Sequence, residues 1–73
     1  MPHFILDNGR LPNGDYDVHN RTAGCAFMPH SANQISLDLH SSCESAMAKA
    51  RQLRPSWHRI NGCQWCCLAC HAP

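Results

Sequence analysis

The sequence predicts a small α+β fold: a three-stranded antiparallel sheet packed by one main helix, followed by a Cys-rich C-terminal turn or short helix. Three observations carry that expectation. Gln34–His40 alternates Ile35, Leu37 and Leu39 with polar residues, the period of a half-buried strand with its aliphatic side chains inward. After it the period becomes helical, with Cys43, Ala46, Met47, Ala50 and Leu53 on one face. The chain also has only 73 residues, six of them Cys and six His. At that size a single core is thin, and thiol or metal cross-links commonly supplement it.

Each element has its own signal. The stretch HFILDNGRLPNGDYDVHN reads as two short strands, Phe4–Leu6 and Tyr16–His19, joined through Asn8-Gly9, Pro12 and Asn13-Gly14. Asn-Gly pairs accept the positive φ of a reversal, so a loose hairpin is expected. RTAGCAFMPHSAN reads as loop, with Cys25 near its apolar centre. SSCE opens the helix as a capping box of Ser41 and Glu44. Arg54 closes it, because the following Pro55 disfavours helix there. Asn61-Gly62 signals one more reversal before the cysteine run. A single domain, residues 1–73, accommodates all of this.

Charge and termini restrict the class. The formal net charge is +1, which requires no polyanionic partner. The cations are nonetheless uneven: Lys49, Arg51, Arg54 and Arg59, with Trp57 and His58 between them, form a candidate nucleic-acid patch. The competing reading is that cations gather near a helix C-terminus to complement its dipole. MPHFILDNGR has neither a basic leader nor a long apolar run, and no window reaches membrane-spanning length. A cytoplasmic protein without a membrane partner is expected, and there thiols stay reduced and clustered cysteines bind metal or react.

The tail NGCQWCCLACHAP places Cys63, Cys66, Cys67 and Cys70 at i, i+3, i+4 and i+7. One straight helix would align them as a stripe, and a stripe cannot surround a tetrahedral ion. Two ligands from the tail and others from elsewhere fit better. The expected metal set is therefore Cys43, Cys63, Cys66, Cys70 and His71, with Cys63-x2-Cys66 as a knuckle and Cys25, His40 and Cys67 as further candidates. Thiolate and imidazole suit zinc, and a closed site would add folding free energy. The main alternative is disulfide pairing of the six cysteines without metal. A thiol-based metal or redox sensor, with Cys43 or Cys67 left reactive, is another. Cys67-x-x-Cys70-His71 also matches the c-type haem motif, but only two residues follow His71 and the spare thiols would compete during attachment, so haem is disfavoured.

No catalytic set emerges. Asp7, Asp15, Asp17, Asp38 and Glu44 are scattered, the histidines lack an H-E-x-x-H spacing, and a thioredoxin-like motif after Trp65 fails because residue 69 is Ala. His3, His19 and His30 read as solvated loop residues. A non-enzymatic module that binds a macromolecular partner, protein or nucleic acid, is the expectation.

The residues GCAFMP, LHSSCESAMAKAR and INGCQWCCLACH resemble small, uncharacterised Cys/His-rich bacterial proteins of the integron-cassette type, over residues 17–71. The resemblance implies that Cys43, Cys63, Cys66, Cys70 and His71 act together. It implies no reaction.

Overall fold

A computed structural model describes residues 1–73. It is α+β: strands β1 (His3–Asp7), β2 (Asp15–Asn20), β3 (Gln34–Leu39) and β4 (Arg59–Gly62), with helix α1 (Cys43–Leu53) between β3 and β4. The sheet has four strands, not the expected three, in the order β3-β1-β2-β4, and it is mixed. β1 pairs antiparallel with β2 and β3, whereas β4 lies parallel to β2. Sequence reasoning took Asn61-Gly62 for a reversal; those two residues instead end β4.

The hairpin between β1 and β2 turns at the second Asn-Gly pair. Gly14 takes φ 92°, and its N–H donates to Leu11 O at 2.8 Å. At the first pair, the Gly9 N–H donates to Asp7 Oδ1 at 2.8 Å. The alternation in β3 breaks partway. Ile5 faces Ser36 but His3 faces Leu39, so β3 carries one extra residue, and Asp38 absorbs it at φ 69°. Asp tolerates this left-handed region better than most residues. Past the bulge, side chains change faces: Leu37 is fully buried, whereas Leu39, expected inward, is 59% exposed.

The helix also begins differently from its sequence signal. Ser42, not Ser41, is the N-cap, and its side chain makes no cap bond. Glu44 thus falls one position too early to complete a capping box. The buried face is otherwise as expected, Cys43, Ala46, Met47 and Ala50, with Leu53 exposed at the last turn. Arg54 is extended before Pro55, because the proline ring crowds the preceding residue out of helix. No helix is long and apolar enough to cross a membrane.

The core joins Phe4 and Leu6 of β1, Val18 of β2 and Leu37 of β3 to the α1 face, and Cys63 and Cys67 complete it. Only 15 of 73 residues are buried, so packing alone stabilises this chain weakly. The C-terminal segment is held by contact with β4. A Cβ on Gly62 would lie 2.7 Å from the Cys70 carbonyl carbon and 2.8 Å from Cys67 O. Glycine is needed there for space. Asn61 fastens the same segment: its Nδ2 donates to Ala72 O at 2.8 Å, while its Oδ1 accepts from the N–H groups of Ala72 and Gly62.

Gly62→Ala is therefore expected to lower the unfolding free energy by ~1–3 kcal/mol, the usual cost of forcing atoms into a filled site. Urea denaturation monitored by tryptophan fluorescence measures this, and an unchanged midpoint would contradict the close approach.

Candidate metal centre

Two groups of thiols flank the loop that follows β4. The first combines His19, Cys25, Cys63 and Cys66, whose ligand atoms all lie within 4.8 Å of one another. Parallel pairing creates it. Val18 sits opposite Gly62, and the Cys63 N–H donates to Val18 O at 2.9 Å. The next residues, His19 and Cys63, therefore emerge at the same end of the sheet.

Two tight turns return the other ligands. After β2, Asn20 Oδ1 accepts from the Ala23 N–H at 3.0 Å, and the Gly24 N–H donates to Asn20 O at 2.9 Å. Gly24 adopts φ 72° and so turns Cys25 back toward His19. After β4, the Cys67 N–H donates to Cys63 O at 2.9 Å, closing a turn that brings Cys66 beside Cys63. Within it the Trp65 N–H donates to Cys63 Sγ at 3.4 Å.

The separations have the size of a coordination shell. His19 Nδ1 is 3.4 Å from Cys66 Sγ and 3.8 Å from Cys25 Sγ, and the Cys25 and Cys63 sulfurs are 3.9 Å apart. A tetrahedral ion with metal–sulfur bonds of about 2.3 Å and a metal–nitrogen bond of about 2.0–2.1 Å holds two sulfurs about 3.8 Å apart and sulfur from nitrogen about 3.5 Å apart. This group can hold a metal ion.

Comparison with family models, with curated proteins and with solved structures yields no match.

Burial sets the protonation state around the centre. It lowers the pKa of His19, which keeps the imidazole neutral, the form that ligates. It raises the Cys66 thiol, against a smaller opposite pull from the Asn20 backbone amide. Burial likewise pushes Cys67 up to about 11. Without an ion, Cys66 and Cys67 stay protonated near neutrality, so coordination must displace the Cys66 proton.

The second group contains Cys43, Cys67 and Cys70, again with sulfurs within 4.8 Å. Cys43 and Cys70 form a disulfide, whereas Cys25, Cys63, Cys66 and Cys67 are free. The five residues expected to share one site are thus divided. Cys63 and Cys66 meet as the knuckle, Cys43 and Cys70 are bonded to each other, and His71 Nδ1 faces Gly62 O at 2.9 Å. Of the further candidates, Cys25 joins the first group and Cys67 the second. His40 engages both ring nitrogens, with Ser45 Oγ and Leu37 O.

Sequence reasoning missed His19 as a candidate ligand. Expected in solvent, it is 2% exposed. The available signal was His19-x5-Cys25 across an Asn20…Gly24 turn at a strand end.

The cations of the basic patch make contacts on several elements. Lys49 pairs with Asp38, and Arg59 Nε lies 2.7 Å from Asp15 Oδ1. Arg54 reaches Asn8 and lies over the Tyr16 ring, 5.4 Å from its centroid. Arg51 is exposed, and Trp57 is 79% exposed. Arg10, which sequence reasoning did not include, lines a cleft with Tyr16, Trp57, His58 and Arg59.

A Cβ at Gly24 would meet nothing within 4 Å, so Gly24→Ala isolates the cost of the left-handed backbone. Stability should fall by ~1–2 kcal/mol, and Gly24→Asn should recover part of that loss. Chemical denaturation of the two variants checks the order.

Proposed function

We propose that the chain is a small, non-enzymatic, metal-stabilised Cys/His module, with zinc as the ion, that presents a surface to a macromolecular partner. The observation that carries this reading is the His19/Cys25/Cys63/Cys66 quartet with its tetrahedral-sized separations. Three thiols and one imidazole match zinc in ligand type and number, and four protein ligands describe a structural site, not one with an open catalytic position. The small core supports the same reading, because an ion bound only by the folded chain adds directly to its stability.

The binding role is supported by what the knuckle displays. Trp65, between Cys63 and Cys66, stacks on Phe27 at 5.6 Å between centroids, and both rings are more than 60% exposed. Phe27 follows Cys25 by two residues, so the two arms of the proposed site carry the two rings. The disulfide-stapled alternative finds support only in Cys43–Cys70; the other four thiols are free. A mixed chemistry, one disulfide and one metal, accommodates all six.

Native mass spectrometry of protein purified without chelator is expected to show one zinc per chain and one disulfide. Cys25→Ser and Cys63→Ser should each lose the ion, and chelation of the parent protein should lower its melting temperature. A zinc-free chain with every sulfur in a disulfide would reject the reading.

A further inference from the structure

The trio Cys43, Cys67 and Cys70 is separate from the quartet and needs its own account. We propose that it is a second, redox-gated site for a soft, thiophilic metal ion, shut while Cys43 and Cys70 are bonded and open once that bond is reduced.

Geometry supplies the first argument. The three sulfurs already lie within 4.8 Å of one another, although they come from two distant segments, the start of α1 and the loop after β4. Two are taken by the disulfide and the third, Cys67, stays a free thiol that is 4% exposed. Cys67 packs in the core, and its sulfur also faces the disulfide pair. As the third arm of a sulfur trigon, it has a use.

The second argument concerns what remains after reduction. The loop bearing Cys67 and Cys70 is held by bonds independent of the disulfide: Cys67 N–H to Cys63 O at 2.9 Å, Cys70 N–H to Cys67 O at 3.1 Å, and the Asn61–Ala72 pair. Helix α1 packs on the sheet through Ala46, Met47 and Ala50. Breaking the bond therefore frees two thiols without dispersing the three.

The donor set selects the ligand class. His40 and His71 are engaged elsewhere; the Glu44 carboxylate lies 3.5 Å from Cys43 Sγ, but the three mutually close donors are all sulfur, a set that favours soft cations over hard ones. Cys43 is the first residue of an 11-residue helix, whose N-terminal dipole favours the negative charge of a tristhiolate complex. The chemistry balances simply. A dithiol reductant gives two hydrogens to the Cys43–Cys70 bond, yielding two thiols, and closes to its own disulfide. A divalent ion then replaces three protons, leaving a complex of net charge −1.

The test is cadmium titration of the full chain under anaerobic conditions, before and after phosphine reduction, following sulfur-to-cadmium charge-transfer absorbance and counting ions by native mass spectrometry. The expected result is one cadmium per oxidised chain and two per reduced chain. Cys67→Ser should remove only the second, and Cys25→Ser only the first. The two readings fail separately: absence of the first ion from oxidised protein rejects the quartet, whereas Cys67-dependent uptake after reduction still supports the trio. A reduced chain that binds no more cadmium than the oxidised one, whether folded or unfolded, or a second ion that survives Cys67→Ser, overturns the proposal.

Discussion

The parallel pairing of β2 with β4 is the constraint on which the rest depends. Parallel neighbours cannot be joined by a tight turn, so the chain must cross over between them. Here the crossover runs through β3 and α1, from the end of β2 at Asn20 to the start of β4 at Arg59. The register then matters at single-residue resolution. With Val18 opposite Gly62, His19 and Cys63 leave the sheet side by side. A slip of one residue would turn one of those side chains to the opposite face and leave the quartet unformed. The pairing is secured at its far end by Arg59 and Asn61, both bonded to the buried Asp15 carboxylate. That carboxylate fixes the register from which the thiols are placed.

The cysteine loop serves two sides of the molecule at once. Cys63 and Cys66 point toward the end of β2, while Cys67 and Cys70 meet the start of α1. The i, i+3, i+4, i+7 spacing would align the four thiols on one stripe only in a continuous helix. A turn at Cys63–Cys67 and a short 3-10 segment at Leu68–Cys70 divide them into two pairs instead. The division rests on Gly62, whose missing side chain lets the backbone of Cys67 and Cys70 lie against β4. A chain with so few buried residues thereby ties its last ten positions to both layers of the fold.

Much of the fold was legible in sequence, and the failures have specific causes. Period-two and period-3.6 patterns locate β3 and α1, and Pro55 ends the helix where it should. β4 was hidden because Arg-Ile-Asn-Gly has one apolar residue and ends in a pair that usually marks a turn. The bulge at Asp38 was hidden because alternation continues through it in sequence while reversing in space. The knuckle Cys63-x2-Cys66 was legible because its ligands are local. Cys25 was among the further candidates, but His19 was not, since bringing both beside the knuckle depends on a parallel pairing that no local pattern encodes. The contacts of the basic residues were hidden for the same reason. Lys49 and Arg59 find their carboxylates, Asp38 and Asp15, on other elements.

That non-local dependence also links the proposed ion to the proposed surface. Phe27 and Trp65 stack although they are 38 positions apart in sequence, and each sits on a different arm of the quartet. Neither ring is anchored by burial, for each is more than half exposed. A stack that exposed contributes only about 0.5–1.5 kcal/mol, too little to order two loops against their conformational entropy. The turns closed by Asn20 and by Cys63 O shape each arm, and an ion in the proposed site would join the two. On this reading the aromatic pair is a consequence of coordination: an ion that joins Cys25 to Cys63 and Cys66 also sets the spacing of Phe27 and Trp65. A partner that recognises the pair would then distinguish the loaded chain from the empty one without touching the metal.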